Sequence, residues 1–160
     1  MADAVSRVII AYELQTSVIA LLSPSRVVRL TQVTVDTDVY DVHVDDRPKG
    51  SLNGQQNTGF AVTRGLTVVR QPDFQALDIR GDGSLRYGTR IDLTHNGQTI
   101  QLMSVHLKSG CFENASTSSA CETLLAQVPV LEGWIDAAAE GPMPFIVLGD
   151  FNRRFNQPND

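Results

Sequence analysis

The chain has 160 residues, and 42% of them are hydrophobic, which is enough for the core of one domain. Thirteen basic and 18 acidic residues give a net charge of −5, which argues against a broad surface that coats nucleic acid but leaves room for a local phosphate site. No apolar run approaches the roughly 20 residues that span a bilayer. Residues 1–12 also lack the parts of an export signal. The composition predicts a soluble, globular domain.

The first third of the chain gives mixed patterns. Apolar spacing over Val5–Leu22 predicts a helix followed by a short buried strand, and Ser23-Pro24 predicts the start of a second, short helix. Clean alternation over Val39–Val44 predicts a half-buried strand. We interpret His43 on that strand as a surface or packing residue. Residues 45–57 contain proline, glycine and asparagine in the proportions of a loop.

A run of short strands is predicted from Thr58 onward. Turn residues occupy 63–65, 81–83 and 95–97, and the strands between them cover 59–62, 66–69, 74–79, 85–93 and 99–107. Asn96-Gly97 between two alternating runs is typical of a tight hairpin. We therefore interpret His95 as a turn residue.

Two cysteines, Cys111 and Cys121, flank nine small and polar residues. A disulfide between them would close a small surface loop, contribute roughly 3 kcal/mol to stability and imply an oxidising compartment. The alternative is a pair of reduced thiols near the start of a helix. A metal site is not supported, because no third or fourth ligand lies nearby in the sequence. The spacing favours the disulfide.

The last third predicts a helix and then a buried strand. Apolar residues recur at helical spacing over Leu124–Ala139, which predicts an amphipathic helix that Pro129 can kink. Five apolar residues, 144–148, then read as a strand buried on both faces. Hairpins followed by a helix and a buried strand predict a layered α/β protein.

Polar side chains follow two of these strands. Asp150 and Asn152 come after the last strand, where they could position a water and hold a phosphate or a metal, or could simply form an Asx turn. His106 and Lys108 end an earlier strand, where a lone histidine would be unremarkable. Because the helix between the two strands can return the chain to the neighbouring position, we expect both polar ends at one edge of a sheet.

Two ordered motifs resemble a known family. Val105-His106-Leu107-Lys108-Ser109-Gly110-Cys111 and Phe145-Ile146-Val147-Leu148-Gly149-Asp150-Phe151-Asn152-Arg153-Arg154 are similar to motifs of the endonuclease/exonuclease/phosphatase superfamily, of which deoxyribonuclease I is a familiar member. Residues 58–62 and 85–88 are similar to the middle hairpins of the family, and its bacterial branch is resembled by Cys121, Leu125, Gln127, Leu131 and Trp134. The resemblance covers most of residues 39–155 and little of the first 35.

The resemblance implies an α/β (α+β) fold, part of a two-sheet β-sandwich flanked by helices, and a hydrolase that needs Mg²⁺ or Mn²⁺. Its substrate would be a phosphate ester, including the phosphodiester of a nucleic acid. Asp150 would hold the metal and orient or deprotonate the attacking water, Asn152 would help to place water and phosphate, and His106 would contact the phosphate or its leaving oxygen. Phosphate contacts are implied for Arg86, Lys108, Arg153 and Arg154.

Three features depart from the family pattern. No opening strand with an active-site asparagine is evident. Ser23 stands where the metal-binding glutamate is expected, with Glu13 on the preceding predicted helix. The chain stops at Asp160, before the family's C-terminal histidine motif. These departures predict one incomplete domain over residues 1–160 and an impaired phosphoesterase. The alternative is a non-catalytic remnant that binds phosphate or nucleic acid, and the disulfide suggests that the parent protein is exported.

Overall fold

The computed structural model describes residues 8–14, 39–47, 57–111 and 118–152, and only the backbone of residues 8–14. The described strands are β1 (Val8–Leu14), β2 (Tyr40–Val44), β3 (Asn57–Thr63), β4 (Thr67–Phe74), β5 (Gly88–His95), β6 (Gln98–His106) and β7 (Phe145–Asp150). A short 3₁₀ helix covers Gln75–Leu77, and the helix α1 covers Ser119–Glu140. The strands form two sheets.

The first sheet has the order β1-β3-β2, and β3 is antiparallel to both neighbours. The helix predicted for the first half of Val5–Leu22 is therefore wrong, because Val8–Leu14 is a strand that pairs with β3. The run Val8-Ile9-Ile10 is β-branched, and such side chains lose rotamer freedom in a helix but pack well on a sheet. The elements predicted between residues 15 and 38 lie outside the described residues.

The second sheet has the order β4-β5-β6-β7. Its first three strands are antiparallel neighbours, while β6 and β7 run parallel and are joined through α1. This confirms the predicted helix-linked return. Asn96 and Gly97 both have positive φ, 50° and 75°, as the tight turn between β5 and β6 requires. The turn at 63–65 instead carries the chain from one sheet to the other.

The strand predicted over residues 74–79 is also wrong, since the 3₁₀ helix and a compact loop occupy this region. The buried carboxylate of Asp78 accepts hydrogen bonds from the backbone N–H groups of Gly83 (2.6 Å) and Leu85 (3.2 Å). These bonds satisfy the loop backbone without a strand partner, so β5 begins only at Gly88.

Apolar side chains form two layers of core. The layer between the sheets comprises Phe60, Val62, Ile91, Leu93 and Leu102. The layer between the second sheet and α1 comprises Leu77, Met103, Val105, Leu107, Leu124 and Leu131. The second sheet is therefore covered on both faces, which is the layered arrangement that the sequence predicts.

Strand β7 contacts both layers, but every one of its residues is only partly buried. Ile146 and Leu148 pack toward the first sheet, and Val147 packs toward α1. The prediction of contacts on both faces is confirmed. Full burial is wrong, because β7 is the edge strand of its sheet among the described residues.

Helix α1 begins after Ser118, whose side chain accepts a hydrogen bond from the N–H of Cys121 at 3.2 Å. Pro129 lies inside the helix on its exposed side, where the carbonyl group that it leaves unpaired can face water.

The Cys111–Cys121 disulfide is present, with a Cα–Cα distance of 4.5 Å. No helix in the described part of the chain is long and apolar enough to cross a membrane.

Candidate phosphoesterase site at the strand ends

The parallel pairing of β6 and β7 brings the two polar strand ends together. His106 and Asp150 are register partners at the last position of each strand. His106 Nε2 lies 3.8 Å from Asp150 Oδ2, and the Asp150 side chain is 26% exposed. The distance exceeds that of a hydrogen bond, so the two side chains are close neighbours without a direct hydrogen bond between them.

Asp150 and Asn152 form a turn that orients both side chains. Asp150 Oδ1 accepts a hydrogen bond from the Asn152 N–H at 2.7 Å, and Asn152 adopts a left-handed φ of 51°. The Asn152 side chain donates from Nδ2 to the Leu107 carbonyl at 2.8 Å. The Asx turn that the sequence allowed as one alternative is therefore present. Because Nδ2 is bound to Leu107, Oδ1 is the atom that Asn152 can offer to a ligand.

Gly149 allows this end of β7 to approach β6. Its φ is +131°, and a Cβ atom added to it would lie 1.9 Å from the Val105 carbonyl oxygen. A side chain at this position would push apart the two strands immediately before His106 and Asp150. The glycine that ends the apolar run is therefore required by the close backbone approach.

The surroundings of His106 favour its neutral form. The residue is 6% exposed. Burial, with further contributions from the positive charges of Arg86 and Arg47, lowers its pKa to about 4, although the Asp150 carboxylate opposes the shift. The imidazole is therefore neutral near pH 7 and can donate a proton in a hydrogen bond through one nitrogen while accepting through the other.

The predicted phosphate-binding residues have different positions. Arg86, two residues before β5, lies close enough to His106 to affect its charge. Lys108 follows the end of β6, so the two-residue strand period that would put it on the same face as His106 no longer applies. Its ammonium group donates to the Ser109 carbonyl at 2.7 Å. Arg153 and Arg154 lie outside the described residues.

A buried polar network that the sequence did not predict joins the two sheets at the same end. Thr58 Oγ1 lies 2.8 Å from Thr89 Oγ1, and it donates to the Tyr87 carbonyl at 2.7 Å. The Asp45 carboxylate accepts from the Thr58 N–H at 2.9 Å and from the Arg47 N–H at 3.3 Å. Asp45, Arg47, Thr58 and Thr89 are all buried, and burial raises the pKa of the Asp45 carboxyl.

This network could have been suspected from one feature of the sequence. Asp45-Asp46-Arg47 follows strand β2 directly, and His106 and Asp150 likewise stand at the ends of their own strands. The prediction of a single loop over residues 45–57 does not distinguish this polar strand end.

The backbone of β1 places Glu13 at the same end of the sandwich. In the pairing of β1 with β3, Ala11 faces Gly59 and Leu14 faces Asn57, so Glu13 lies in the irregular stretch opposite Thr58. Thr58 contacts Thr89, which pairs with Ser104, two residues before His106. The sequence predicts a helix at Glu13, and the strand β1 corrects that prediction.

Divalent metal binding depends on how many oxygen ligands meet here. Among the side chains that the structure describes, no group of three or more histidine, cysteine or acidic residues could hold a metal ion. Asp150 is the carboxylate that lies beside His106 at the ends of β6 and β7. Carboxylate and amide oxygens are the donors that Mg²⁺ and Mn²⁺ prefer, so the donor chemistry fits while the ligand set needs a further carboxylate.

Comparisons with solved structures support the fold. The chain superimposes on truncated TDP2 from Caenorhabditis elegans with a TM-score of 0.50 and 16% identity, covering 73% of this chain and 42% of that one. TDP2 from C. elegans also gives a TM-score of 0.50, with 20% identity and coverage of 73% and 32%. No model of a protein family and no curated protein matches the sequence. TDP2 is a deoxyribonuclease I-like member of the endonuclease/exonuclease/phosphatase superfamily, so the predicted fold is confirmed. The chain spans less than half the length of these structures.

Proposed function

Because the chain has the deoxyribonuclease I-like fold, we propose that it carries the reacting centre of a metal-dependent phosphoesterase of the endonuclease/exonuclease/phosphatase superfamily. The observation that carries this proposal is the register of β6 and β7, which sets His106 beside Asp150 and Asn152 at adjacent strand ends. The structural neighbour TDP2 is a phosphodiesterase of this superfamily, and the motifs at both strand ends are those that resemble the superfamily.

Each residue has a role that its surroundings support. Neutral His106 donates a hydrogen bond to a phosphate oxygen or to the leaving oxygen. Asp150 orients the attacking water through Oδ2, because Oδ1 is held in the turn with Asn152. Asn152 contributes its side-chain oxygen to the same region. Arg86 supplies positive charge to the phosphate.

We propose Glu13, rather than a residue at position 23, as the second metal-binding carboxylate. Asp150 and Glu13 would hold Mg²⁺ or Mn²⁺ between the two sheets, since both strands end on this side of the sandwich. Ser23 lies outside the described residues. When bound, the ion would neutralise charge on the phosphate. The chain's own residues contribute orientation and charge, which dominate in-line phosphoryl displacement.

The test is divalent-metal-dependent hydrolysis with the purified 160-residue chain. DNA, RNA, a phospholipid and bis(p-nitrophenyl) phosphate represent the four substrate classes that the chemistry permits. We expect turnover of at least one of them that Asp150→Ala abolishes and that Asp136→Ala, a change at an exposed position on α1, leaves intact. Metal-dependent rates that are equal in wild type and Asp150→Ala would refute the proposal.

The alternative function is phosphate or nucleic-acid binding without hydrolysis. Arg86 and Arg47, which both lie close to His106, supply positive charge that suits it. Binding of inorganic phosphate or single-stranded DNA that depends on Arg86, with no turnover of any substrate in the presence of Mg²⁺ or Mn²⁺, would favour this alternative.

A further inference from the structure

One buried glutamine in α1 holds the backbone that follows His106. Gln127 is 1% exposed, and both ends of its amide are used. Its Oε1 accepts from the Lys108 N–H at 2.8 Å, and its Nε2 donates to the Leu77 carbonyl at 2.7 Å. The two partners require an acceptor and a donor respectively, so the orientation of the amide is fixed.

The hydrogen bond to Lys108 connects Gln127 to Asn152 through a single peptide group. The N–H of Lys108 and the carbonyl of Leu107 belong to the same planar peptide unit. Gln127 binds its N–H, and Asn152 Nδ2 binds its carbonyl oxygen, each at 2.8 Å. The side-chain amides of Gln127 and Asn152 therefore hydrogen-bond to the N–H and to the carbonyl oxygen of the same peptide group. An N–H that is hydrogen-bonded also makes the carbonyl of its own peptide a better acceptor.

These hydrogen bonds fix the orientation of the Asn152 side chain as well as the backbone around Leu107. The Leu107 N–H donates to the Asp150 carbonyl at 2.8 Å, so the peptide groups on both sides of Leu107 are anchored. If the Leu107–Lys108 peptide rotated, Asn152 would lose the acceptor that holds Nδ2, and its Oδ1 would no longer be directed by that bond. The same rotation would displace the backbone immediately after His106.

We propose that Gln127 is a positioning residue, which acts through the Leu107–Lys108 peptide to orient Asn152 toward the phosphate. It does not touch the substrate. The functional part of this inference rests on the proposed phosphoesterase activity, whereas the orientation of Asn152 can be measured without it. Gln127 thereby couples helix α1, on the far face of the sheet, to the strand ends where the chemistry is proposed.

Three variants separate positioning from stability. Gln127→Met keeps the length of the side chain but loses both hydrogen bonds. Gln127→Glu keeps an oxygen that accepts from Lys108, and its carboxyl group, held neutral by burial, can also donate to the Leu77 carbonyl. Leu131→Val lies one turn further along α1 in the same core layer, so it destabilises the packing and leaves the amide bonds intact.

The first measurement is steady-state hydrolysis of bis(p-nitrophenyl) phosphate with Mn²⁺. We expect Gln127→Met to lower kcat about tenfold and to change KM by less than about twofold. Misplaced groups reduce the stabilisation of the transition state more than they reduce substrate binding. Gln127→Glu and Leu131→Val should stay within about threefold of wild type in kcat. Equal kcat in Gln127→Met and Leu131→Val, or a Gln127→Glu variant as slow as Gln127→Met, would overturn the inference.

The second measurement is the NMR spectrum of the Asn152 side-chain amide, recorded without metal or substrate. Its two proton resonances should move in Gln127→Met and stay in place in Gln127→Glu and Leu131→Val. Unmoved resonances in Gln127→Met would overturn the inference. If Gln127→Met does not fold, the inference is tested with Gln127→Glu. Displaced Asn152 resonances in that variant would overturn the inference, and unchanged resonances would support it. If no form of the chain hydrolyses any substrate, the phosphoesterase proposal fails, and this spectrum still decides whether Gln127 orients Asn152.

Discussion

Gly149→Ala is expected to destabilise the protein strongly. A Cβ atom here would lie 1.9 Å from the Val105 carbonyl oxygen, 2.9 Å from its carbon and 3.0 Å from the Val105 nitrogen. All three are backbone atoms of β6, so no side-chain rotation can relieve the contact. A φ of +131° adds the cost of a conformation that residues with a Cβ rarely adopt. Backbone strain and overpacking each cost about 1–3 kcal/mol, and together we expect a loss of about 4 kcal/mol.

Urea unfolding followed by far-UV circular dichroism measures this loss. The matched control is Gly133→Ala inside α1, where an added Cβ meets no atom within 4 Å. We expect Gly133→Ala to raise the free energy of unfolding by about 0.5–1 kcal/mol, since alanine has the better helix propensity. A Gly149→Ala protein within about 1 kcal/mol of wild type would show that β6 and β7 do not approach as described.

Three further predictions concern the disulfide, His106 and the metal. Replacing Cys111 and Cys121 with serine should lower the free energy of unfolding by about 3 kcal/mol, and two free thiols in the denatured, unreduced protein would contradict the bond. Because the pKa of His106 is lowered to about 4, the stability that its neutral form contributes is complete above pH 6.5 and is lost as the pH falls toward 4. An NMR titration without metal should therefore find its imidazole neutral at pH 5.5, and a midpoint of 6.5 or higher would exclude the described burial. Glu13→Gln should weaken Mn²⁺ binding at least about tenfold in calorimetry, whereas Ser23→Glu should strengthen it less than about twofold. The reverse order would restore position 23 as the site of the metal-binding carboxylate.

The parts of the fold that the sequence predicts are those with strong local patterns. The turn at Asn96-Gly97, helix α1 and the position of strand β2 follow from turn chemistry, helical spacing and strand alternation, although Val42 and Val44 of β2 are exposed. The meeting of His106 with Asp150 also follows, because a strand, a helix and a returning strand make parallel neighbours.

The features that the sequence predicts wrongly or does not predict depend on partners that are distant in the sequence. Val8–Leu14 has apolar residues at both helical and strand spacing, and its pairing with β3, more than 40 residues away in sequence, decides the outcome. Gln127 reads as one residue of an amphipathic helix, and its two hydrogen bonds span 19 and 50 residues. The Thr58 hydroxyl likewise gains Tyr87 and Thr89 as partners only when the two sheets meet. Local patterns carry no information on such contacts.

The location of bound Mn²⁺ tests the central claim most directly. Mn²⁺ broadens the NMR signals of nearby nuclei, so substoichiometric additions to the labelled chain map the metal site even where turnover is slow. We predict selective loss of the amide signals of residues 106–108 and 150–152, with those of residues 96–98 and 145–146 retained, and no selective loss in Asp150→Ala. Broadening centred elsewhere, or the same pattern in Asp150→Ala, would contradict a metal-dependent phosphoesterase centre at these strand ends.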